Sequence, residues 1–352
     1  MDTIIRKITN SSADEEIYRQ AGQILKLGGL VAFPTETVYG LGGNALDSTA
    51  SAKIYSAKGR PSDNPLIVHI ADMSALYDLA AEVPESALAL AKRFWPGPLT
   101  MILKKQDKVP DSITGGLGTV AIRMPNHKVA LQLIKSSGVY VAAPSANTSG
   151  KPSPTKAEHV INDLSGKIDM IIEDDTVDIG LESTIIDLSE DIPTILRPGY
   201  ITKKMLEEVL SVVNVDPAIM SSVRDGVVPK APGMKYKHYA PNADITIVEG
   251  NQAKVVEFIN ARALELEAQG KNVAVMATEE SKSQYICKSV VAVGSKQDER
   301  SVARNLYAIL RDFDKQNVDI VFSESFDDDN VGQAVMNRLM KAAGQKVIQL
   351  ED

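Results

Sequence analysis

Residues 228–241, Val228-Pro229-Lys230-Ala231-Pro232-Gly233-Met234-Lys235-Tyr236-Lys237-His238-Tyr239-Ala240-Pro241, contain three prolines and no amphipathic period. Proline removes a backbone donor and locks φ, so this stretch reads as a semi-rigid linker and not as a helix or sheet strand. On both sides of it, short apolar runs alternate with helical spacings. A chain of 352 residues also exceeds what one hydrophobic core usually serves. We therefore expect two α/β domains, at 1–215 and 244–352, joined by a linker at 216–243. That linker is rich in aromatic and basic groups for a passive spacer, which predicts contact with a ligand.

Composition narrows the function classes. Net charge is −8, with 25 Lys and Arg against 28 Asp and Glu in residues 1–241 and 13 against 18 beyond them. Neither part has the basic excess that drives phosphate-backbone binding, which argues against stable direct nucleic-acid binding. No apolar run approaches bilayer-spanning length and the N-terminus lacks signal-peptide order, so no membrane association is expected. A single cysteine, Cys287, cannot form an internal disulfide and fits a reducing cytoplasm. The four histidines, His69, His127, His159 and His238, show no metal-ligand spacing, and no protein-bound metal is expected.

Taken in order, the first domain opens with a capping-box pattern at Ser12 and Glu15, followed by a helix that stops at Gly28-Gly29. A strand at residues 30–33 runs into Phe33-Pro34-Thr35-Glu36-Thr37-Val38-Tyr39-Gly40-Leu41-Gly42-Gly43, a polar, glycine-rich strand end of the sort that carries chemistry in α/β proteins. Asp47 or Ser48 can cap a helix over 49–57. Further strands are expected at 66–70, 99–103, 120–124, 139–143, 170–172, 184–186 and 194–196. Pro84 opens one helix, and Asn126 and a Thr155/Glu158 box are possible caps for two more. Together these predict a twisted mixed sheet with helices. The second domain alternates strands at 245–248, 273–276, 290–293, 320–322 and 347–350 with helices at 255–267, 301–313 and 334–343, a smaller doubly wound, Rossmann-like array. Asp327-Asp328-Asp329 reads as a solvated turn.

The familiar nucleotide signatures fail. Gly40-Leu41-Gly42-Gly43-Asn44-Ala45 fits G-x-G-x-x-A but lies six residues beyond the strand's last residue, with no clear helix opening there. Ser153-Pro154-Thr155-Lys156 matches S-x-x-K without its companion motifs, and there is no Walker A sequence or G-x-S-x-G elbow. What remains is a set of cationic and hydroxyl residues near element ends: Lys58 and Arg60, Ser62, Asp63 and Asn64, Arg123, Ser145 and Asn147, Ser183 and Thr184, and Arg197. Such groups suit a triphosphate and a carboxylate. Each alone reads as a surface charge or turn residue; their joint placement suggests a shared pocket.

The ordered set of Phe33-Pro34-Thr35-Glu36-Thr37-Val38-Tyr39-Gly40-Leu41-Gly42, Lys58-x-Arg60-Pro61, Asn64-Pro65-Leu66, Trp95-Pro96-Gly97-Pro98-Leu99-Thr100, Arg123-Met124-Pro125, Pro144-Ser145-Ala146-Asn147, Ser183-Thr184-Ile185 and Arg197-Pro198-Gly199 resembles the threonylcarbamoyl-AMP synthase family. The segment 231–241 resembles the linker of that family's long, two-domain form, and the resemblance covers essentially the whole chain. It implies a YrdC-like catalytic fold related in shape to double-stranded RNA binders. Its implied reaction combines L-threonine, bicarbonate (or CO2) and ATP into threonylcarbamoyl-AMP and pyrophosphate. The product would pass to a separate tRNA threonylcarbamoyltransferase that modifies the adenosine beside the anticodon.

By matching motif positions, the resemblance implies a threonine pocket of Thr37, His69, Arg123, Ala143 (through its backbone) and Ser183. It implies an ATP side of Arg60, Asn64, Thr119, Ser145, Ser153, Arg197 and Tyr236, with Lys58 as a further phosphate partner and Tyr239 as the alternative to Tyr236. No protein nucleophile and no tightly bound cofactor are implied; Mg2+ would accompany ATP. Lys235, Tyr236, Lys237 and His238 could close over the nucleotide as a lid. Two other readings fit less well: an RNA-binding module, disfavoured by charge, and a carbamoyl-adenylate domain of the hydrogenase-maturation type, which the first domain resembles but whose acylphosphatase-like and zinc-finger segments this sequence does not show.

Overall fold

The computed structural model describes residues 2–174, 177–219, 230–232, 238–326 and 330–351. The chain divides into two compact units, one of residues 1–149 and 153–235, the other of residues 150–152 and 236–352. Tyr236, Lys235 and Lys237 of the expected lid, and Asp327-Asp328-Asp329, lie outside the described residues.

Among the described residues the first unit holds β1 (Ile4–Lys7), β2 (Val31–Phe33), β3 (Gly40–Asn44), β4 (Ile67–His69), β5 (Leu99–Lys104), β6 (Thr119–Arg123), β7 (Val141–Ala142), β8 (Met170–Glu173), β9 (Thr184–Asp187), β10 (Thr194–Arg197) and β11 (Asn214–Val215). They form one sheet in the order β1-β8-β2-β3-β7-β4-β6-β5-β9-β10-β11. Pairing is mixed: β4 lies parallel to β6 and antiparallel to β7, while β5 lies antiparallel to β6 and parallel to β9. The expected twisted mixed sheet is present. Its helices bury apolar faces against it, as in Glu85–Phe94, where Ala87, Leu90, Ala91 and Phe94 face inward and Pro84 occupies the N-cap.

Three strands, β1, β3 and the two-residue β11, are not legible in the sequence. The glycine cluster is not a turn: Gly40–Asn44 is β3, antiparallel to β2 with Val31 opposite Gly42 and Phe33 opposite Gly40. The glycines are needed for packing. A Cβ on Gly42 would sit 2.8 Å from Val141 Cγ1 and 2.9 Å from a ring carbon of Phe33. The N-terminal β1 pairs in parallel with β8, a partner more than 160 residues away, Ile4 facing Met170.

Capping was read with mixed success. Asp47 caps Ser48–Lys58 by accepting from the Thr49 N–H. The two boxes do not form: Ala13 is the N-cap of Asp14–Lys26 and Lys156 that of Ala157–Leu164, neither with a side-chain cap bond. At the first, Asp14 accepts from the Thr9 and Ser11 N–H groups instead, folding the preceding turn onto the helix start. His127, not Asn126, stands at the N-cap of Lys128–Ser137.

The second unit contains β12 (Asp244–Glu249), β13 (Val273–Ala277), β14 (Ser289–Ala292), β15 (Ile320–Glu324) and β16 (Val347–Gln349). All its pairings are parallel, in the order β14-β13-β15-β12-β16. Helices Gln252–Ala268, Glu299–Lys315 and Asn330–Ala342 make three of the crossovers and a 3-10 turn at Lys282–Gln284 lies in the fourth, giving the expected doubly wound array. Buried strands of this kind read as nearly continuous apolar runs, as in Val273-Ala274-Val275-Met276-Ala277. No helix among the described residues is long and apolar enough to cross a membrane.

Candidate functional site

The register of three neighbouring strands builds the centre of the site. His69 closes β4 opposite Arg123 at the end of β6, and Thr100 on β5 lies opposite Arg123 on its other side. Ser183 immediately precedes β9, where Thr184 pairs with Leu99. The Thr100 and Ser183 hydroxyls are 2.7 Å apart and hydrogen-bonded. Arg197, at the end of β10, donates from Nε to the Ser183 carbonyl at 3.1 Å and from Nη2 to its hydroxyl at 3.2 Å. Five polar side chains far apart in sequence, His69, Thr100, Arg123, Ser183 and Arg197, thus gather on neighbouring strands, all buried.

Arg123 is held on two sides. Its Nε donates to the Gly97 carbonyl at 3.4 Å, and the Gly97 N–H returns a bond to Met124 O at 2.8 Å. The Trp95-Pro96-Gly97-Pro98 motif therefore presents a backbone acceptor to the guanidinium, while Trp95 Nε1 anchors the turn on Leu99 O. On the other side, the Glu36 carboxylate approaches to 2.7 Å, with both side chains about 5% exposed. Neither Glu36 oxygen has a well-aligned hydrogen bond, so the contact is one of charge. Glu36 and Thr100 were not among the expected site residues. Glu36 is visible within the Phe33–Gly43 stretch, but its partner on a distant strand is not.

The loop that carries Glu36 is pinned by its own hydroxyls. Thr35 Oγ1 donates to Val38 O and lies 2.9 Å from Thr37 Oγ1, placing Thr37 beside Glu36 in a fully buried turn. Ile179 N–H bonds Glu36 O, and the Tyr39 and Leu41 N–H groups bond Pro154 O and Pro144 O. Ala143 follows β7 and donates its N–H to Ile67 O, two residues before His69. The His69 ring meets Phe33 edge-on, with centroids 6.3 Å apart, and Nδ1 donates to Ile67 O at 3.2 Å. Burial, and then the neighbouring Arg123 charge, push its pKa down to about 3, so the imidazole is neutral.

The residues expected on the nucleotide side form smaller groups. Lys58, closing Ser48–Lys58 and 1% exposed, donates from Nζ to the carbonyls of Ser145 and Asn147. Ser145 donates in turn to Asn147 Oδ1. Arg60 bonds the carbonyls of Asn64 and Pro65 at 3.3 and 3.2 Å. Ser153 donates to Glu182, the neighbour of Ser183. Thr119 stands apart: it opens β6 opposite Lys104, four residues and roughly 13 Å along the strand from Arg123. Tyr236 lies outside the described residues, while Tyr239 is 5% exposed and stacks on Tyr307 at 5.3 Å in the second unit's core. From the linker, Ala231 joins Ile67, Ile102, Ala121, Ile185 and Leu196, and Pro232 O accepts from Arg197 Nη1 at 3.4 Å. Ala231 and Pro232 of the linker therefore lie against the strands that carry the site.

A buried arginine with a carboxylate partner, a neutral imidazole and paired hydroxyls can receive a zwitterionic, hydroxyl-bearing molecule. Similarity agrees with that chemistry. The family pattern described as "Telomere recombination" matches residues 23–199, and that of "Threonylcarbamoyl-AMP synthase, C-terminal domain" matches residues 201–344. The threonylcarbamoyl-AMP synthase of Bacillus subtilis (strain 168) is 51% identical over 339 residues, covering 96% of each chain. The chain belongs to the threonylcarbamoyl-AMP synthase family. The family member from Pyrococcus abyssi (strain GE5 / Orsay) is 48% identical over 99% of this chain and 100% of its own. The crystal structure of P. abyssi Sua5 complexed with L-threonine superposes with a TM-score of 0.92 at 46% identity, covering both chains completely. Family membership thus spans both units and carries the motifs from Phe33 to Gly199 with it.

Proposed function

We propose that the chain is a nucleotidyltransferase that forms L-threonylcarbamoyl-AMP and pyrophosphate from L-threonine, bicarbonate and ATP, supplying the N6-threonylcarbamoyladenosine modification of tRNA next to the anticodon. The observation that carries this reading is full-length similarity to a threonine-complexed relative, joined to the His69–Arg123–Thr100 register. Arg123 receives the threonine carboxylate, as an arginine presented by a rigid backbone suits a planar acid. Thr37, His69, Ser183 and the Ala143 backbone surround the rest of the molecule. His69 stays neutral and adds no second positive charge to compete with Arg123 for that acid.

The carbamate formed from threonine and bicarbonate attacks the α-phosphorus of ATP through its carboxylate oxygen, and pyrophosphate leaves. No protein nucleophile is needed. Rate comes from alignment and from fixed cationic and N–H groups facing the phosphates. Lys58, Arg60, Asn64, Thr119, Ser145, Ser153, Arg197 and Tyr236 serve the nucleotide. Mg2+ would enter with ATP and offset the triphosphate charge. The mixed anhydride then passes to a separate transferase that acts on tRNA in the cytoplasm.

The test is pyrophosphate release with each substrate omitted in turn, with the product identified by mass. Release that requires both threonine and bicarbonate is expected; turnover independent of threonine would overturn the proposal.

A further inference from the structure

Carbamate formation requires something that the residues assigned so far do not supply. The threonine amine is an ammonium at neutral pH and must lose a proton before its nitrogen can attack carbon. His69 is neutral, but burial and then Arg123 hold its basicity far below that of an ordinary imidazole, which makes it a poor proton acceptor. The Glu36 carboxylate is the buried acid in direct contact with Arg123.

We infer that Glu36 is a catalytic residue: it binds the threonine ammonium and takes its proton, after the substrate carboxylate has displaced it from Arg123. The inference rests on the threonine reading of the site given above. Its geometric basis is an unusual pairing. Glu36 touches Arg123 at 2.7 Å, yet neither carboxylate oxygen is held by an aligned hydrogen bond. The backbone beneath it is fixed by Ile179 and by the Thr35 hydroxyl. The side chain can therefore release the guanidinium while its loop stays in place.

Arg123 has limited room, because Nε is given to Gly97 O. When the substrate carboxylate takes the guanidinium, Glu36 loses its ion-pair partner and is left to meet the ammonium that arrives with the substrate. The substrate thus brings both the charge that frees the base and the proton that the base accepts. The step balances: the ammonium gives one proton to Glu36, and the freed nitrogen pair forms the N–C bond with bicarbonate. The bicarbonate hydroxyl leaves as water with a second nitrogen proton. The carbamate remains with one N–H, and Glu36 returns its proton to solvent after product release. The other titratable groups of this cluster are Arg123, His69, Glu182 and Arg197; the one further carboxylate, Glu182, accepts from Ser153.

The experiment measures threonine-dependent pyrophosphate release as a function of pH for the full-length protein, Glu36→Gln and Glu36→Asp, with threonine binding followed by calorimetry. For Glu36→Gln we expect threonine affinity to fall about tenfold. Turnover should fall by a further factor of about 100 at neutral pH, the size of a lost general base, and recover progressively as the pH rises and free amine becomes available. For Glu36→Asp we expect a displaced acid limb of kcat/KM with affinity within about threefold. A Glu36→Gln loss of the same factor at every pH, or wild-type turnover, overturns the inference and makes Glu36 a structural counterion. Should Glu36→Gln fail to fold, an acid limb unmoved in Glu36→Asp overturns it equally. If the unmodified protein releases pyrophosphate without threonine, it is the proposed function that fails, a distinguishable result.

Discussion

Arg197 grips Ser183 at two points, its Nε on the backbone carbonyl at 3.1 Å and its Nη2 on the hydroxyl at 3.2 Å. Because the same hydroxyl meets Thr100 at 2.7 Å, a residue assigned to the nucleotide is mechanically tied to one assigned to the amino acid. Ser183→Ala removes both hydroxyl links, a cost of about 1–3 kcal/mol. We expect kcat/KM for both threonine and ATP to fall, by roughly tenfold to a hundredfold. Steady-state kinetics with each substrate varied in turn checks this; a loss confined to threonine would break the coupling.

Gly199 follows this pair and is constrained by backbone alone. A Cβ there would lie 2.5 Å from Thr184 N and 2.8 Å from Glu182 O and from the Ser183 carbonyl carbon. Side-chain adjustment cannot relieve such contacts. Gly199→Ala must therefore displace Ser183, at a stability cost of about 1–3 kcal/mol. Activity is expected to fall further than this loss of folded protein explains, measured as turnover per folded molecule after thermal unfolding gives the folded fraction.

His69 makes a signed prediction about acid stability. Its pKa is about 3 in the folded chain, chiefly through burial and then through Arg123, against about 6.5 when unfolded. A depressed histidine pKa means that the unfolded chain binds the extra proton between those values. The stabilisation is complete above about pH 6.5 and is lost as pH falls toward 3, by up to roughly 1.4 kcal/mol per pH unit. His69→Gln should flatten that slope in urea unfolding curves collected between pH 6.5 and 4. An unchanged slope would place the acid sensitivity elsewhere.

Lys58 holds the Ser145–Asn147 loop through two carbonyls while buried. Lys58→Met keeps much of the side-chain volume but loses charge-assisted bonds worth about 1.5–3 kcal/mol each. We expect a lower Tm and a higher KM for ATP, with threonine affinity changed much less. Isothermal titration with each substrate separates these outcomes.

Local structure was legible where local chemistry decides it. The Asp47 cap, the helix after Pro84 and the apolar runs of β13 and β15 follow from propensity and periodicity over a few residues. The expected Ser12 and Thr155 boxes were not formed, because Asp14 found partners in the turn before its helix and Thr155 N–H bonds His159. β3 was hidden because its glycines carry no periodic side-chain signal. The reason for them lies in Phe33 and Val141, which fill the space above.

The sequence by itself determined the alternation of strands and helices, the linker, and the residue types available for a carboxylate and a triphosphate. It also determined the family, through the ordered motifs from Phe33 to Gly199 and the linker segment 231–241. Only the tertiary structure decided that Glu36 meets Arg123, that Thr100 joins Ser183, and that Thr119 lies at the far end of the strand that carries Arg123. Those outcomes depend on register between strands tens of residues apart, which is set by burial across the whole sheet and leaves no mark in the local spacing of residues.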